Sequence, residues 1–273
     1  MRIKARQNWF AILLLCIVLT GCSVEAESSI APSFDGYNKI EVDGGDLNGI
    51  REPNAAVDIG FGEREYWAFT NEYGQLIRVV AEEIILQDDD TEPVKSNGRY
   101  YNEEARVPGT ERKDMDQGHV IADSLGGVSN AYNITPQEST LNRHGNQAYM
   151  EKAIRDAGGC TDFEAIITYP DTKTQIPSHY HYTYTLKGNV ITEDFDNVNP
   201  DEVNENLIKT QQRQDGDWEA NNSENDISAI DTNGNGRVSI AEAKAAGFKM
   251  PITKDHWLYQ YMDDRDGDGM VGE

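Results

Sequence analysis

The chain has 273 residues and a formal net charge of −24 at pH 7, and 38% of its residues are hydrophobic. This apolar content is sufficient for a folded core and excludes a wholly disordered chain, while the acidity excludes a general basic surface that coats nucleic acid. The chain contains three cysteines, which excludes a disulfide-rich framework and a four-cysteine zinc site.

The N-terminus has the pattern of a bacterial signal peptide. A basic start precedes the apolar run 10–19, which is too short to cross a bilayer as a helix. Residues 19–22 read Leu-Thr-Gly-Cys, which resembles the lipobox of bacterial lipoproteins. The resemblance implies removal of residues 1–21 and lipidation of Cys22. We therefore expect a protein anchored by lipid to the extracytoplasmic face of the cell membrane, from which it can also be released.

After the signal peptide, the sequence predicts a tether and then an α+β domain. Residues 22–60 are rich in small and acidic residues with little apolar periodicity, which favours a tether. The runs 66–69 and 76–80 flank a polar turn and predict a β-hairpin. In chain order the patterns then predict one long helix at 137–157, strands at 163–169 and 179–186, and a polar helix from 199 to about 216. We assign residues 61–213 to this domain.

The most informative pattern lies between the hairpin and the end of the long helix. Asp-Gln-Gly-His at 116–119 is followed by Gly-Gly at 126–127, then by Asn133, Asn142 and Glu151. This pattern resembles the DNA/RNA non-specific endonucleases, which have a ββα-metal fold, and in particular the branch of the streptococcal competence nuclease. The resemblance implies an antiparallel sheet with one long helix, and metal-dependent hydrolysis of DNA phosphodiester bonds without sequence specificity. The sequence leaves RNA open as a further substrate.

The resemblance also implies roles for individual residues. His119 is expected to be the general base, because imidazole is neutral near pH 7 and can accept a proton from water. Asn142 would bind the catalytic Mg²⁺ or Mn²⁺, and Glu151 would hold water bound to this metal. Asn133 would orient the histidine or the substrate, and Asp116 would hold in place the residues that contact the metal or the substrate.

One position departs from the family pattern, since Gln117 stands where an arginine is usual. The guanidinium that would meet the phosphate is therefore missing there. Between residues 95 and 155 the chain has eight basic and eight acidic residues, so this segment does not repel a phosphate backbone as the rest of the chain does. Four basic residues of this segment are candidates to replace the arginine: Arg99, Arg112, Lys113 and Arg143.

The C-terminus carries a second, independent pattern. Residues 231–242 fit the twelve-residue EF-hand loop, with glycine at its sixth position. The predicted Ca²⁺ ligands of this loop are Asp231, Asn233, Asn235, the carbonyl of Arg237, Ser239 and Glu242. A second run begins a similar loop, with the predicted ligands Asp264, Asp266, Asp268 and Met270. Val238 and Val271 occupy matching positions, from which two such loops can pair back to back.

Residues 227–273 are therefore assigned to a small EF-hand-like α domain, joined to the rest by the polar linker 214–226. The segment 242–247 and the closing acidic run also resemble the excalibur calcium-binding domain. The cysteine pair usual in that family is missing, which makes folding of the module more dependent on calcium.

Two classes of function remain open. The first is a membrane-anchored, metal-dependent endonuclease with a calcium-binding accessory domain, acting on DNA or RNA. The second is a calcium-binding surface interaction protein built on a degenerate nuclease scaffold, which Gln117 favours slightly. The intact spacing of His119, Asn133 and Asn142 favours the nuclease. No feature of the sequence indicates a protein partner.

Overall fold

The computed structural model describes residues 32–206 and 227–272, with the exception of residues 266 and 268. Several predictions fall outside these residues: the signal peptide, Cys22, the start of the tether, the linker 214–226, and the ligands Asp266 and Asp268. The strands are β1 Asn38–Ile40, β2 Ala55–Asp58, β3 Tyr66–Thr70, β4 Leu76–Ile84, β5 Met115–His119, β6 Ile134–Glu138, β7 Cys160–Thr168, β8 His179–Leu186, β9 Asn189–Asp196, β10 Ile252–Thr253 and β11 Met270–Val271. The helices are α1 Ser139–His144, α2 Asn146–Ala157, α3 at 200–206 and α4 Ile240–Ala245.

A seven-stranded sheet forms the centre of a mixed, sheet-dominated fold. Its strand order is β1-β2-β3-β4-β7-β8-β9, and every neighbouring pair is antiparallel except β1 and β2. The predicted hairpin is confirmed as β3 and β4. The predicted strand at 179–186 is confirmed as β8, in which Tyr180, Tyr182 and Tyr184 are buried on one face.

The tether predicted for residues 22–60 is wrong for its described part, because β1 and β2 belong to the sheet. Ala55, Ala56 and Val57 have no exposed surface. Arg51 fixes the preceding loop, since its buried guanidinium donates to the carbonyl oxygens of Ala131 at 2.7 Å and Ile134 at 2.6 Å. Such short strands between turns leave little periodicity in the sequence, which is why the pattern was misleading.

The single long helix predicted for 137–157 is also wrong in its first part. Residue 137 lies in strand β6, and the remainder is two helices separated at Gly145. A Cβ atom at Gly145 would lie 2.7 Å from backbone atoms of Leu141, so the close approach of the two helices there requires glycine. Helix α2 ends at Gly158 as predicted, with a left-handed glycine cap. Its buried residues Met150 and Ile154 pack against the sheet.

The C-terminal module has its own hydrophobic core. This core includes Val238, Ala243, Phe248, Ile252 and Val271. The suggested back-to-back pairing of Val238 with Val271 is wrong, because Val271 pairs with Ile252 in the β10–β11 ribbon and the Val238 N–H donates to the Tyr261 carbonyl.

The module also contacts the nuclease-like part of the chain through helix α3. The fully buried Asn204 on α3 donates to the Lys249 carbonyl at 3.0 Å and accepts from the Lys249 N–H at 2.7 Å. These two bonds bind the module directly to the helix that follows β9. In the described part of the chain, no helix is long and apolar enough to span a bilayer.

Candidate active site

The β5–β6 ribbon carries the predicted catalytic residues. It is a separate antiparallel pair in which Asp116 lies opposite Gln137 and His119 lies opposite Ile134. Gly118 is required in this ribbon, because a Cβ atom there would lie 2.4 Å from the buried Gln137 side chain. His119 is therefore the last residue of a tightly packed strand, and the chain turns away directly after it.

The turn after His119 is held by Asn133, whose amide is fully buried. Its Oδ1 accepts from the Ile121 N–H at 3.0 Å, and its Nδ2 donates to the carbonyls of Ile121 at 2.8 Å and Val128 at 2.6 Å. Among the described residues the Asn133 amide makes no hydrogen bond to the His119 side chain, and its role in orienting the histidine or the substrate stays a prediction. Because both polar atoms of the amide are engaged with backbone, Asn133 shapes the loop and only indirectly positions His119.

His119 is enclosed by two carboxylates. Its side chain is 10% exposed, with Nε2 at 3.4 Å from Oδ2 of Asp123 and Nδ1 at 3.8 Å from Oε1 of Glu104. Burial lowers the pKa of His119, although both carboxylates act in the opposite direction. The imidazole is thus neutral at pH 7. Its Nε2 is buried and makes no hydrogen bond among the residues that the structure describes.

Gln117 and Arg99 both contact the segment that carries Glu104. The amide of Gln117 points toward the backbone carbonyls of Glu104 and Ala105, at 3.5 and 3.4 Å. Arg99 forms an ion pair with the Glu104 carboxylate, and its charge further lowers the pKa of His119. A guanidinium therefore lies beside His119 although Gln117 is not arginine.

The other two candidate arginines are paired with other carboxylates. Arg112 pairs with the exposed carboxylate of Asp114. Arg143 forms two hydrogen bonds to Asp116, of 2.7 and 2.6 Å. Of the three arginines proposed as replacements, Arg99 is thus the one that pairs with a carboxylate beside His119.

Glu151 is linked to His119 through Gln147, one turn earlier on α2. The Gln147 amide donates to the His119 carbonyl at 3.1 Å and to Glu151 Oε1 at 2.9 Å, and it accepts from the Tyr182 hydroxyl at 2.9 Å. Burial raises the pKa of Glu151 to about 7, and the nearby charge of Asp123 adds to this effect. Glu151 is therefore close to half-protonated at neutral pH.

Asp116 on β5 and Asn142 on α1 form a second group. Asp116 accepts hydrogen bonds from Arg143, from the Ser139 hydroxyl at 3.2 Å and from the Asn142 amide at 3.3 Å. Because the Nδ2 of Asn142 faces this carboxylate, its Oδ1 points elsewhere and is free of hydrogen bonds within the described residues. No hydrogen bond or ion pair in the described part of the chain joins this group to the His119 side chain.

Three residues of the pocket were missed by the sequence analysis: Glu104, Asp123 and Gln147. Asp123 lies four residues after His119, a spacing that brings side chains together in a tight turn. The sequence could therefore have indicated that Asp123 lies beside His119. Gln147 precedes Glu151 by one helical turn, and this spacing could have indicated that the two side chains are neighbours. Glu104 lies in a loop with no regular structure, and nothing in its local sequence indicates its position beside His119.

The predicted calcium loop is held by hydrogen bonds to its own acidic residues. Asp231 accepts from the N–H groups of Asn235 at 3.2 Å and Gly236 at 2.7 Å. Glu242 accepts from Thr232 and from Ser239, each through its N–H and its hydroxyl. These bonds, those from Ser239 first, lower the pKa of Glu242 to about 2. Hydrogen bonds from within the loop thus fix the orientation of its first and last carboxylates.

The remaining predicted calcium ligands are only partly described. Asn233 donates to Glu242 at 2.9 Å, and the Asn235 side chain accepts from the Arg237 N–H at 2.8 Å. Asp264 accepts from the N–H groups of Gly267 and Gly269. Met270 lies in β11, and its sulfur accepts from the Tyr149 hydroxyl at 3.5 Å.

Comparison with known proteins bears directly on the His119 site. Residues 65–188 match the family model described as DNA/RNA non-specific endonuclease, and this range includes the β5–β6 ribbon, α1 and α2. The match supports a nuclease domain. It covers somewhat less than half of the chain, and no curated protein matches the chain.

Two nucleases of known structure are also similar to parts of the chain. NucA from Streptococcus agalactiae with magnesium bound has a TM-score of 0.38 at 16% identity, covering 50% of this chain and 74% of that one. The Sda1 nuclease with bound zinc has a TM-score of 0.28 at 21% identity, covering 44% and 47%. These scores are too low to establish a common fold.

Proposed function

We propose that the domain built on the seven-stranded sheet is a metal-dependent endonuclease that hydrolyses DNA without sequence specificity, with RNA as a second substrate to be tested. The observation that carries the proposal is the buried, neutral imidazole of His119, held at a strand end within the segment that matches the nuclease family. A positioned neutral imidazole is suited to remove a proton from the attacking water.

The carboxylates beside His119 complete its function as a base. Once the imidazole accepts a proton it becomes a cation in a buried site, which is costly unless negative charge is near. Asp123 and Glu104 lie within 4 Å of its two nitrogens and stabilise this cation. Burial thus keeps the base neutral before the reaction, and the carboxylates stabilise it afterwards.

The residues predicted to hold the metal fit a hard dication. The Asn142 Oδ1 is a neutral oxygen ligand of the kind that Mg²⁺ or Mn²⁺ accepts alongside several waters. Glu151 is a buried carboxylate whose raised pKa would be lowered by a cation nearby, so it is suited to accept hydrogen bonds from metal-bound water. The metal, when bound, stabilises charge on the phosphate and on the leaving oxygen.

Arg99 is the residue that we propose replaces the arginine missing at position 117. Its side chain is 42% exposed, so the guanidinium can reach a phosphate while it contacts Glu104. The balanced charge of residues 95–155 fits weak, sequence-independent binding of a polyanion, in contrast to the acidic remainder of the chain.

We further propose that the C-terminal module binds Ca²⁺ through the loop 231–242, and that Cys22 carries a lipid anchor at the extracytoplasmic face of the membrane. The proposal for calcium is supported by the loop spacing and by the hydrogen bonds that hold the Asp231 and Glu242 carboxylates within the loop. The proposal for the anchor rests on the lipobox pattern alone.

One experiment separates the nuclease from the interaction protein on a degenerate scaffold. Purified protein is incubated with supercoiled plasmid, and separately with RNA, in the presence of Mg²⁺ or EDTA. We expect nicking and linearisation that require the metal and are lost in His119→Ala. A folded wild-type protein that cleaves neither substrate with Mg²⁺ or Mn²⁺ would establish the degenerate scaffold instead. Gln117→Arg is the variant that would then restore activity if the missing guanidinium is the cause.

A further inference from the structure

The pocket around His119 contains more metal-ligating atoms than the proposed base requires. One oxygen of Glu104, one ring nitrogen of His119 and one oxygen of Asp123 all lie within 4.8 Å of one another. They come from three separate segments: the loop before β5, the end of β5 and the turn that follows it. This set differs from Asn142 and Glu151, the residues proposed for the catalytic metal.

A second observation indicates that this cluster is directed at a ligand. The His119 side chain is nine-tenths buried, and its Nε2 makes no hydrogen bond in the described part of the chain although Asp123 Oδ2 lies 3.4 Å away. A buried ring nitrogen is normally hydrogen-bonded, because leaving it unpaired is costly. The distance between this unpaired nitrogen and the carboxylate oxygen that it faces is instead close to the separation of two ligands on one small metal ion.

We propose that Glu104, His119 and Asp123 form a binding site for a transition-metal dication, represented by Zn²⁺, and that occupation of this site inhibits the nuclease. The inhibitory part rests on the proposed role of His119 as the base. A metal bound to the ring nitrogen takes the lone pair that would accept the proton from water. One imidazole and two carboxylates suit Zn²⁺ better than Mg²⁺, which prefers oxygen ligands and retains its waters.

Arg99 sets the charge of this site and provides a direct test. The two carboxylates, the neutral imidazole and the Arg99 guanidinium sum to one negative charge before metal binds. Arg99 also forms its ion pair with Oε1 of Glu104, the oxygen that lies 3.8 Å from Nδ1 of His119. Removal of Arg99 therefore frees a ligand and leaves two negative charges, so Arg99→Gln should bind Zn²⁺ more tightly than the wild type, while changes in the three ligands should weaken binding.

The experiment measures Zn²⁺ affinity directly, by calorimetry or by competition with a chromophoric chelator, in full-length protein with excess Ca²⁺ and no nucleic acid. All proteins carry His179→Ala and His181→Ala, because these histidines and Asp194 form an exposed cluster on β8 and β9 that can itself bind Zn²⁺. We expect Glu104→Gln and Asp123→Asn to weaken binding by at least about tenfold, since even groups that only orient a ligand contribute 10–100-fold. Glu103→Gln, at an exposed neighbouring carboxylate, is the matched control and should bind as the background protein does.

A second readout is inhibition of plasmid cleavage by Zn²⁺ at saturating Mg²⁺. We expect inhibition at the Zn²⁺ concentration that fills the site, and inhibition at lower Zn²⁺ in Arg99→Gln if that variant retains measurable activity. Equal Zn²⁺ affinity in the background protein, Glu104→Gln and Asp123→Asn would overturn the site, as would cleavage supported by Zn²⁺ alone at the same occupancy. Tight, ligand-dependent Zn²⁺ binding by a protein without nuclease activity would leave the site standing and contradict the proposed function instead.

Discussion

Glu151 and Glu242 are both glutamates, but their pKa values are shifted in opposite directions. Glu151 lies in the pocket on α2, where burial raises its pKa to about 7. Glu242 lies in the first turn of α4, where hydrogen bonds from Ser239 and Thr232 lower its pKa to about 2. The first carboxylate is kept close to neutral by its surroundings, and the second is held fully charged.

The difference shows how the two regions are suited to different cations. In the His119 pocket, burial dominates, and it raises the pKa of Glu151 while it lowers the pKa of His119. In the 231–242 loop, donors from the backbone and from hydroxyl groups dominate at Glu242, so this carboxylate is charged at every physiological pH. A loop of charged oxygen ligands favours Ca²⁺, whereas a pocket with a neutral imidazole favours proton transfer.

Substitution of the base tests the pocket with the largest expected effect. His119→Ala should lower the cleavage rate by about 10²–10⁴-fold, the usual contribution of a positioned general base. Initial rates of plasmid nicking under saturating Mg²⁺ measure this, with His144→Ala as a histidine control on α1. A folded His119→Ala protein with a rate near that of the wild type would remove His119 from the mechanism.

The raised pKa of Glu151 predicts a pH-dependent stability. A carboxyl group with a raised pKa in the folded state stabilises the fold at low pH, and this contribution is lost as the pH rises through about 7. The rise from 4.5 to about 7 corresponds to up to about 3 kcal/mol. Without divalent cations, the difference in unfolding free energy between wild type and Glu151→Gln should therefore shift in favour of the variant between pH 5 and pH 8.

Urea unfolding at both pH values, with EDTA present, measures this shift. The comparison between the two proteins is needed because His119, whose pKa is lowered, contributes with the opposite sign between these pH values. A difference between wild type and Glu151→Gln that does not change with pH would show that Glu151 is ionised normally in the folded protein.

The calcium loop is best tested by a point variant in the full chain. Deletion of the module would leave the buried Asn204 amide without its two bonds to Lys249, and so would confuse loss of calcium with loss of packing. Glu242→Gln removes the charged ligand at the last loop position. The wild type should gain about 2.7 kcal/mol of stability at a Ca²⁺ concentration one hundred times the dissociation constant.

Thermal unfolding with Ca²⁺ and with EDTA measures this gain in both proteins. We expect Glu242→Gln to lose most of it, while Glu205→Gln, a carboxylate on α3, retains it. An unchanged response to calcium in Glu242→Gln would place the calcium site elsewhere.

The smallest expected effect concerns the cap of α4. The Ser239 hydroxyl accepts from the Glu242 N–H at 3.2 Å, and the Glu242 carboxylate accepts from the Ser239 N–H at 2.9 Å, which together form a capping box. Ser239→Ala should cost about 1 kcal/mol of module stability without calcium. Ser239→Asp, which can still cap the helix, should retain most of that stability in the same unfolding measurement. An equal loss in both variants would mean that the hydroxyl acts through another contact.

Local patterns were sufficient for the elements that depend on neighbouring residues. The β3–β4 hairpin, the tyrosine face of β8 and the glycine end of α2 were all predicted, because turn residues and alternation are properties of a short segment. The break at Gly145 was not predicted, since its cause is contact with the Leu141 backbone rather than an unusual dihedral angle.

Tertiary structure decided what surrounds His119. Glu104 lies in an irregular loop, and it reaches the imidazole only because that loop folds over β5. Asn133 was predicted to orient His119 or the substrate, and the structure shows that its amide bonds to the backbone of the loop 121–128 that follows His119. The strands β1 and β2 were missed because partners distant in the sequence bury them. The sequence thus indicated His119 and the local elements, whereas the protonation state and the neighbours of His119 depend on long-range packing and burial, which no local pattern encodes.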